Sequence, residues 1–172
     1  DVYKRQILDT VAILIPCQQQ RWCYSDRTFG DIYAARTMTR AEVEHAVSMF
    51  FTDVRLKTYI EIRPADAMPI PYVIAYAALI KGLFYTPTSL DAMDGLFADV
   101  RRDDYLAAQD VLMERGYEAE VYGRPVAELC DRIVKIARDG LADEEQGFLE
   151  PLADLVARRV TLADLAERSE RA

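Results

Sequence analysis

The chain has 172 residues, about half of them apolar and 29% charged, enough for one ordinary domain or a large piece of a bigger one, and this composition excludes intrinsic disorder. A net charge of −8 argues against general binding to nucleic acid or to anionic membranes, and a single histidine, His45, excludes any site that needs two. Cys17, Cys23 and Cys130 form an odd set without a Cys-x-x-Cys pair, which predicts reduced thiols in a cytoplasmic protein and argues against a disulfide framework or a zinc site.

The first six residues, Asp1-Val2-Tyr3-Lys4-Arg5-Gln6, lack an initiator Met and read as a non-native end, so the fold is expected over 7–172. Ile7 to Ile15 is apolar apart from Asp9 and Thr10, and its end reads as a buried strand stopped by Pro16. Cys17 to Gly30, with three glutamines and no periodicity, reads as a loop with Trp22 packed beneath it. Thr39-Arg40-Ala41-Glu42 is a capping box: the Thr39 hydroxyl accepts from the Glu42 amide and the Glu42 carboxylate reaches back. The apolar positions Val43, Ala46, Val47 and Phe50 then predict a helix over 40–51, with His45 in a structural role at the stripe's edge.

Val54 to Arg63 alternates in a way that suits one β-strand. Val54, Leu56, Ile60 and Ile62 would face the core, while Arg55, Lys57, Tyr59, Glu61 and Arg63 share the opposite face. Such a face is either a solvated sheet surface or the lining of a site in which Glu61 binds a cation while Arg55 and Arg63 bind anions. Three prolines, Pro64, Pro69 and Pro71, break the strand. Pro71 then opens a helix to Tyr85 that is apolar nearly all round and so expected to be buried on most sides; its apolar run, Ile70 to Ile80, is too short to span a bilayer. Thr88-x-x-Asp91 predicts the start of the next helix, Asp103 or Asp104 the one after, and Gly116 its end. Tyr117 to Tyr122 reads as extended chain turning at Gly123. Pro125 opens the cleanest amphipathic helix, carrying Val126, Leu129, Cys130, Ile133 and Ala137 and ended by Gly140. Asp143 caps a further helix with a kink expected at Pro151, and Thr161-x-x-Asp164 caps the last.

The run Tyr59-Ile60-Glu61-Ile62-Arg63-Pro64-Ala65-Asp66, followed by the Ala/Leu-rich helix from Pro71 to Leu83, resembles the late fingerprint of the glutamine-synthetase-like superfamily: a strand of form (I/L)-E-x-R, a (P/A)-D turn and a long helix. The longer form from Asp53 to Asp66 is similar to the glutamate–cysteine ligases of the plant and proteobacterial type, and the likeness continues more loosely to Phe148-Leu149-Glu150-Pro151-Leu152. It implies an α+β fold, the C-terminal portion of a catalytic domain with few antiparallel strands followed by a mostly helical region, its N-terminal half missing and the piece inactive alone. It also implies an ATP- and Mg2+-dependent enzyme acting on glutamate and cysteine, with no nucleic-acid or membrane partner. By the same resemblance Glu61 matches a magnesium ligand and Arg63 the arginine that contacts transferred phosphate, both catalytic. Arg55, Lys57 and Tyr59 match the substrate pocket, with Arg55 on a glutamate carboxylate. The chain departs from the plant-type pattern at Pro64, where that pattern has Gly, and at Ala67-Met68-Pro69-Ile70, where it has Gly-Gly-Pro-Trp. Another glutamate carboxylate–amine ligase, and a non-enzymatic helical interaction module with a solvated charged strand, remain as alternative readings.

Overall fold

In the computed structural model, which describes residues 2–16 and 21–170, the chain is α+β and divides into two compact units, Asp1–Asp66 and Ala67–Ala172. The predicted loop position Cys17 and the three glutamines after it lie outside the described residues.

The first unit begins with helix α1 (Val2–Asp9), and the end of the apolar stretch forms the strand β1 (Leu14–Pro16) where one was expected. β1 pairs antiparallel with β2 (Trp22–Tyr24) inside the expected loop, in the register Leu14↔Tyr24, Ile15↔Cys23, Pro16↔Trp22. Trp22 is exposed, not buried under a loop, and meets the His45 ring at 4.6 Å. Cys23 is disulfide-bonded, against the expectation of reduced thiols: an odd count excludes a full framework but leaves room for one bridge.

Two capping boxes organise the rest of this unit. Thr28 and Asp31 start the short helix α2 (Phe29–Ile32), and Thr39 and Glu42 start α3 (Arg40–Ser48), the predicted box. The core of this unit is Ala12, Phe29 and Ala46, with the Phe29 and Phe50 rings stacked at 6.4 Å. His45 has the expected structural place, its Nε2 2.9 Å from the Leu14 carbonyl oxygen, tying α3 to β1.

The second unit is helical except for one small hairpin. α4 (Ile70–Phe84) carries Pro71 in its first turn, and α5 (Pro87–Phe97) starts three residues on. The predicted Thr88 box is not used: Thr86 is the N-cap, and its hydroxyl donates to the buried Ser89 hydroxyl at 2.8 Å. α6 (Arg102–Arg115) is capped by the Asp104 carboxylate, which accepts from the Arg101 amide at 2.9 Å. β5 (Glu120–Val121) and β6 (Arg124–Pro125) close around Tyr122 and Gly123, both at positive φ, 55° and 68°, the pairing that a tight two-residue hairpin turn demands. α7 (Val126–Asp139) presents its apolar stripe to both clusters of the core, one around Leu96, Ala108, Val121 and Leu129, the other around Ala78, Leu83, Ala137 and Leu149.

The last stretch departs from expectation in detail. Asp143–Leu149 is a 3-10 helix, and Pro151 sits in the first turn of α8 (Glu150–Arg158), where its missing N–H costs nothing, instead of kinking a longer helix. Arg159 then adopts the left-handed conformation at φ 56° and grips both oxygens of Asp131, at 2.7 and 2.5 Å. α9 (Leu162–Glu170) has the predicted Thr161–Asp164 box.

The α4–α7 crossing is unusually close. A Cβ on Gly82 would lie 2.1 Å from the Ala137 carbonyl oxygen, and one on Gly140 would lie 2.1 Å from the Gly82 carbonyl oxygen. α4 is buried along the side that carries Ala75, Ala78, Gly82 and Leu83, whereas Ile70, Val73, Ile74 and Phe84 are exposed, contrary to the expectation of burial on most sides. A helix apolar all round carries no signal of which face is covered. Among the described residues no single helix is long and apolar enough to cross a membrane.

Candidate functional site

The stretch predicted as one strand is a hairpin. β3 (Val54–Leu56) and β4 (Ile60–Ile62) pair antiparallel as Val54↔Ile62, Arg55↔Glu61 and Leu56↔Ile60. Lys57 to Tyr59 forms the bend, closed by the Lys57 amide donating to the Tyr59 carbonyl at 2.8 Å. The expected face assignment survives, because a three-residue bend preserves odd–even parity. Its consequence is different: Arg55 and Glu61, which would stand roughly 20 Å apart along one extended strand, are directly opposite each other.

They form a two-pronged ion pair. Arg55 Nε donates to Glu61 Oε2 at 2.7 Å and Nη2 to Oε1 at 3.3 Å, while Nη1 donates to the Ser48 carbonyl at 2.8 Å. Lys57 Nζ stands 3.5 Å from Glu61 Oε2 and 5.8 Å from the centre of the Tyr59 ring. The Arg55 side chain is only 11% exposed and that of Glu61 29%. The Arg55 hydrogen bonds hold the Glu61 carboxyl below its ordinary range, against partial burial, with the charges of Arg55 and Lys57 assisting. Two cations around one carboxylate leave this cluster with a net charge of about +1.

Arg63 is not drawn into it. Its Nη1 donates to the carbonyls of Phe50 and Thr52, at 3.1 and 3.3 Å, and its guanidinium lies 5.5 Å from the Phe51 ring centre. Thus three of the five predicted residues, Arg55, Lys57 and Glu61, meet directly. Tyr59 borders them at the bend, and Arg63 is held instead by the segment preceding the hairpin. Most of the expected core face is bare: Val54, Leu56 and Ile60 are 56%, 74% and 66% exposed, and Ile62 is half-buried.

Among the described residues no group of three or more His, Cys, Asp or Glu side chains is arranged to hold a metal ion. Glu61 offers one hard carboxylate, the donor chemistry magnesium takes when phosphate oxygens and water complete its shell. The residue therefore suits a supporting ligand, not a complete site.

A second concavity, of about 390 Å3 and not singled out in the sequence, lies in the helical unit between α6 and the β5–β6 hairpin. Two of its polar groups serve the fold. Asp104 caps α6, and Arg124 donates to the Leu96 carbonyl at 3.2 Å. Cys130, half-buried on α7, is a free thiol pushed up by burial, which disfavours nucleophilic use.

No family model matches the chain. It is similar to part of several plant enzymes. It is 30% identical over 124 residues to the chloroplastic glutamate–cysteine ligase of Arabidopsis thaliana, covering 70% of this chain and 24% of that one. It is 27% identical over the same length to the chloroplastic enzyme of Medicago truncatula, and 27% to the chloroplastic glutamate–cysteine ligase A of Oryza sativa subsp. indica, of which it covers 25%. The chain spans about a quarter of the length of the curated relatives it matches. These relatives also correct one expectation: each is named as chloroplastic, so the cytoplasmic location read from the cysteines does not stand.

Proposed function

We propose that this chain is a piece of an ATP-dependent ligase that joins the γ-carboxylate of glutamate to the amine of cysteine, the first step of glutathione synthesis. The observation that carries the proposal is the match over 70% of the chain to enzymes named glutamate–cysteine ligase. The ionic face of the β3–β4 hairpin agrees with it, since it gathers the residue types such a reaction needs.

The reaction has two stages. A γ-carboxylate oxygen attacks the terminal phosphorus of ATP, the bond to ADP breaks, and an acyl phosphate results. The cysteine amine then attacks the acyl carbon, phosphate leaves, and the amine loses a proton. Bound magnesium would supply charge neutralisation on the nucleotide phosphates, with Glu61 as one of its ligands. Arg55 offers a planar fork to the glutamate carboxylate, with Lys57 and Tyr59 beside it. Arg63 would meet phosphoryl charge while its Nη1 stays on the Phe50 and Thr52 carbonyls. No protein nucleophile is required.

The test is ADP release by the complete gene product with glutamate and a panel of amines. Cysteine-dependent release, lost in a folded Glu61→Gln variant, is the expected result. Release with a different amine would establish another carboxylate–amine ligase, and no release with any amine would overturn the enzyme reading.

A further inference from the structure

The flank of α4 that faces away from Ala75, Ala78 and Gly82 is apolar along almost its whole length. Ile70, Val73, Ile74, Ala77, Lys81 and Phe84 are all exposed, and at 3.6 residues per turn they fall within a strip about 100° wide. Lys81 is the charge in that strip, and it pairs with Glu145 beside a groove of about 210 Å3 between α4 and the 3-10 helix Asp143–Leu149. Ile74, Ala77 and the exposed Phe148 form apolar walls of the groove. We propose that strip and groove together dock an amphipathic helix with a basic flank, supplied by the same polypeptide from outside residues 1–172. The inference rests on the reading of this chain as a piece of a longer ligase, and on none of the residues assigned to its reaction.

Shape, charge and size select this occupant. Strand addition needs an open sheet edge, which neither wall offers, whereas a strip at helical spacing takes a second helix whose apolar anchors recur at i, i+3 or i+4, and i+7. The 3-10 helix carries Asp143, Glu144 and Glu145 in its first turn, and among the described residues Glu145 alone of the three is in an ion pair. Unmatched carboxylates beside an apolar strip favour an occupant with Lys or Arg along its flank. A second copy of this chain would bring the same acidic wall and a net charge of −8, so like charges oppose it. α4 has 15 residues and is about 22 Å long and about 10–12 Å across, so covering one flank buries a few hundred Å2, well short of the roughly 800 Å2 per partner of a stable interface between separate chains. A segment of the same polypeptide escapes that threshold, because tethering removes most of the association cost. The chain spans about a quarter of the length of its relatives, so a polypeptide of their length has ample sequence to supply the helix.

The complete gene product tests the docking in two ways. A photo-reactive analogue at the groove, Phe148→p-benzoylphenylalanine, should cross-link on irradiation to a peptide outside 1–172, identified by mass spectrometry, whose sequence has helical apolar spacing flanked by Lys or Arg. Ile70→Cys, at a side chain 74% exposed in this chain, should react with N-ethylmaleimide at least about tenfold more slowly in the native protein than in urea. Adding Glu144→Lys should raise that native rate about two- to fivefold by weakening the charge match. A cross-link to residues of 1–172, in the same or a second molecule, overturns the docking, as does a cross-link to an acidic segment, the absence of any cross-link, or native reactivity at position 70 equal to that in urea. An unchanged rate with Glu144→Lys overturns the charge match. Cysteine-dependent ADP release from the same preparations separates the two readings: release with an open strip removes the docking alone, and a covered strip without release removes the ligase reaction and leaves the docking.

Discussion

Glu42 shows how much a single carboxylate can organise. It accepts from the Thr39 amide at 2.8 Å and from the Thr39 hydroxyl at 2.9 Å, and it is clamped by Arg36 through two bonds of 2.8 and 2.5 Å. The Arg36 bonds, then those from Thr39, bring its acidity from 4.5 to about 2. A carboxyl lowered on folding adds stability that is complete above its ordinary value and lost as the pH falls towards the folded one. Glu42→Gln should therefore lower the urea midpoint at neutral pH, and the gap from the parent should close as the pH falls from about 4.5 to about 2. A gap that persists at the acid end would refute the assignment. The Thr39–Glu42 half of this arrangement is legible in the sequence, because a capping box is a fixed three-residue spacing. The Arg36 half is not, because it reaches across a turn whose path the local pattern does not set. Glu61 repeats the lesson: its face could be read, but its partner Arg55 could not until the hairpin register was known.

At the scale of elements, the α4–α7 contact depends on the absence of a side chain. Gly82→Ala forces a methyl into the backbone of Ala137 and should destabilise the protein by at least about 1–3 kcal/mol. Gly95 in α5 is the control, since a Cβ there meets nothing within 4 Å. Gly95→Ala should be neutral or stabilise by up to about 1 kcal/mol, through the helix preference for alanine. Denaturant midpoints of the two variants compare these directly, and equal shifts would show that the crossing can relax. Helix identities were legible here because Pro71, Pro125 and Gly140 punctuate the chain and α7 is strongly amphipathic. The hairpin was not, since a period of two is the same whether the chain runs straight through Thr58 or folds back there. Nor was the strand β2, whose three residues are too short for any period to register.

For the whole molecule, the division after Asp66 falls in an extended segment without regular structure over 63–69, where Pro64, Ala65, Asp66 and Ala67 are exposed. Limited proteolysis should first cut within 64–69 and leave the helical unit intact, read by mass spectrometry of the fragments; a first cut inside α4 or α7 would contradict the division. The exposed apolar residues carry a second expectation. Leu56→Lys should leave the thermal stability of the 172-residue chain unchanged, because the side chain is 74% exposed. In a longer protein that covers this face it should lower the melting temperature, and equal behaviour in both would show that the face stays open. The helical remainder after Pro71 was legible from its prolines and apolar spacing, while the α+β class was what the resemblance implied. The bare apolar side of the hairpin was not, because alternation reports that a face is apolar, not that something covers it.

The parity of the Lys57–Tyr59 bend also bears on how this sequence can change over time. Substitutions in the bend alter one side chain each, whereas losing or gaining a single codon there shifts every residue of β4 to the opposite side. Glu61 would then point with Leu56, and Ile60 and Ile62 with Arg55. Length at this bend is therefore constrained independently of identity, and homologous sequences should tolerate varied residues at 58 but seldom a change in the number of residues at 57–59.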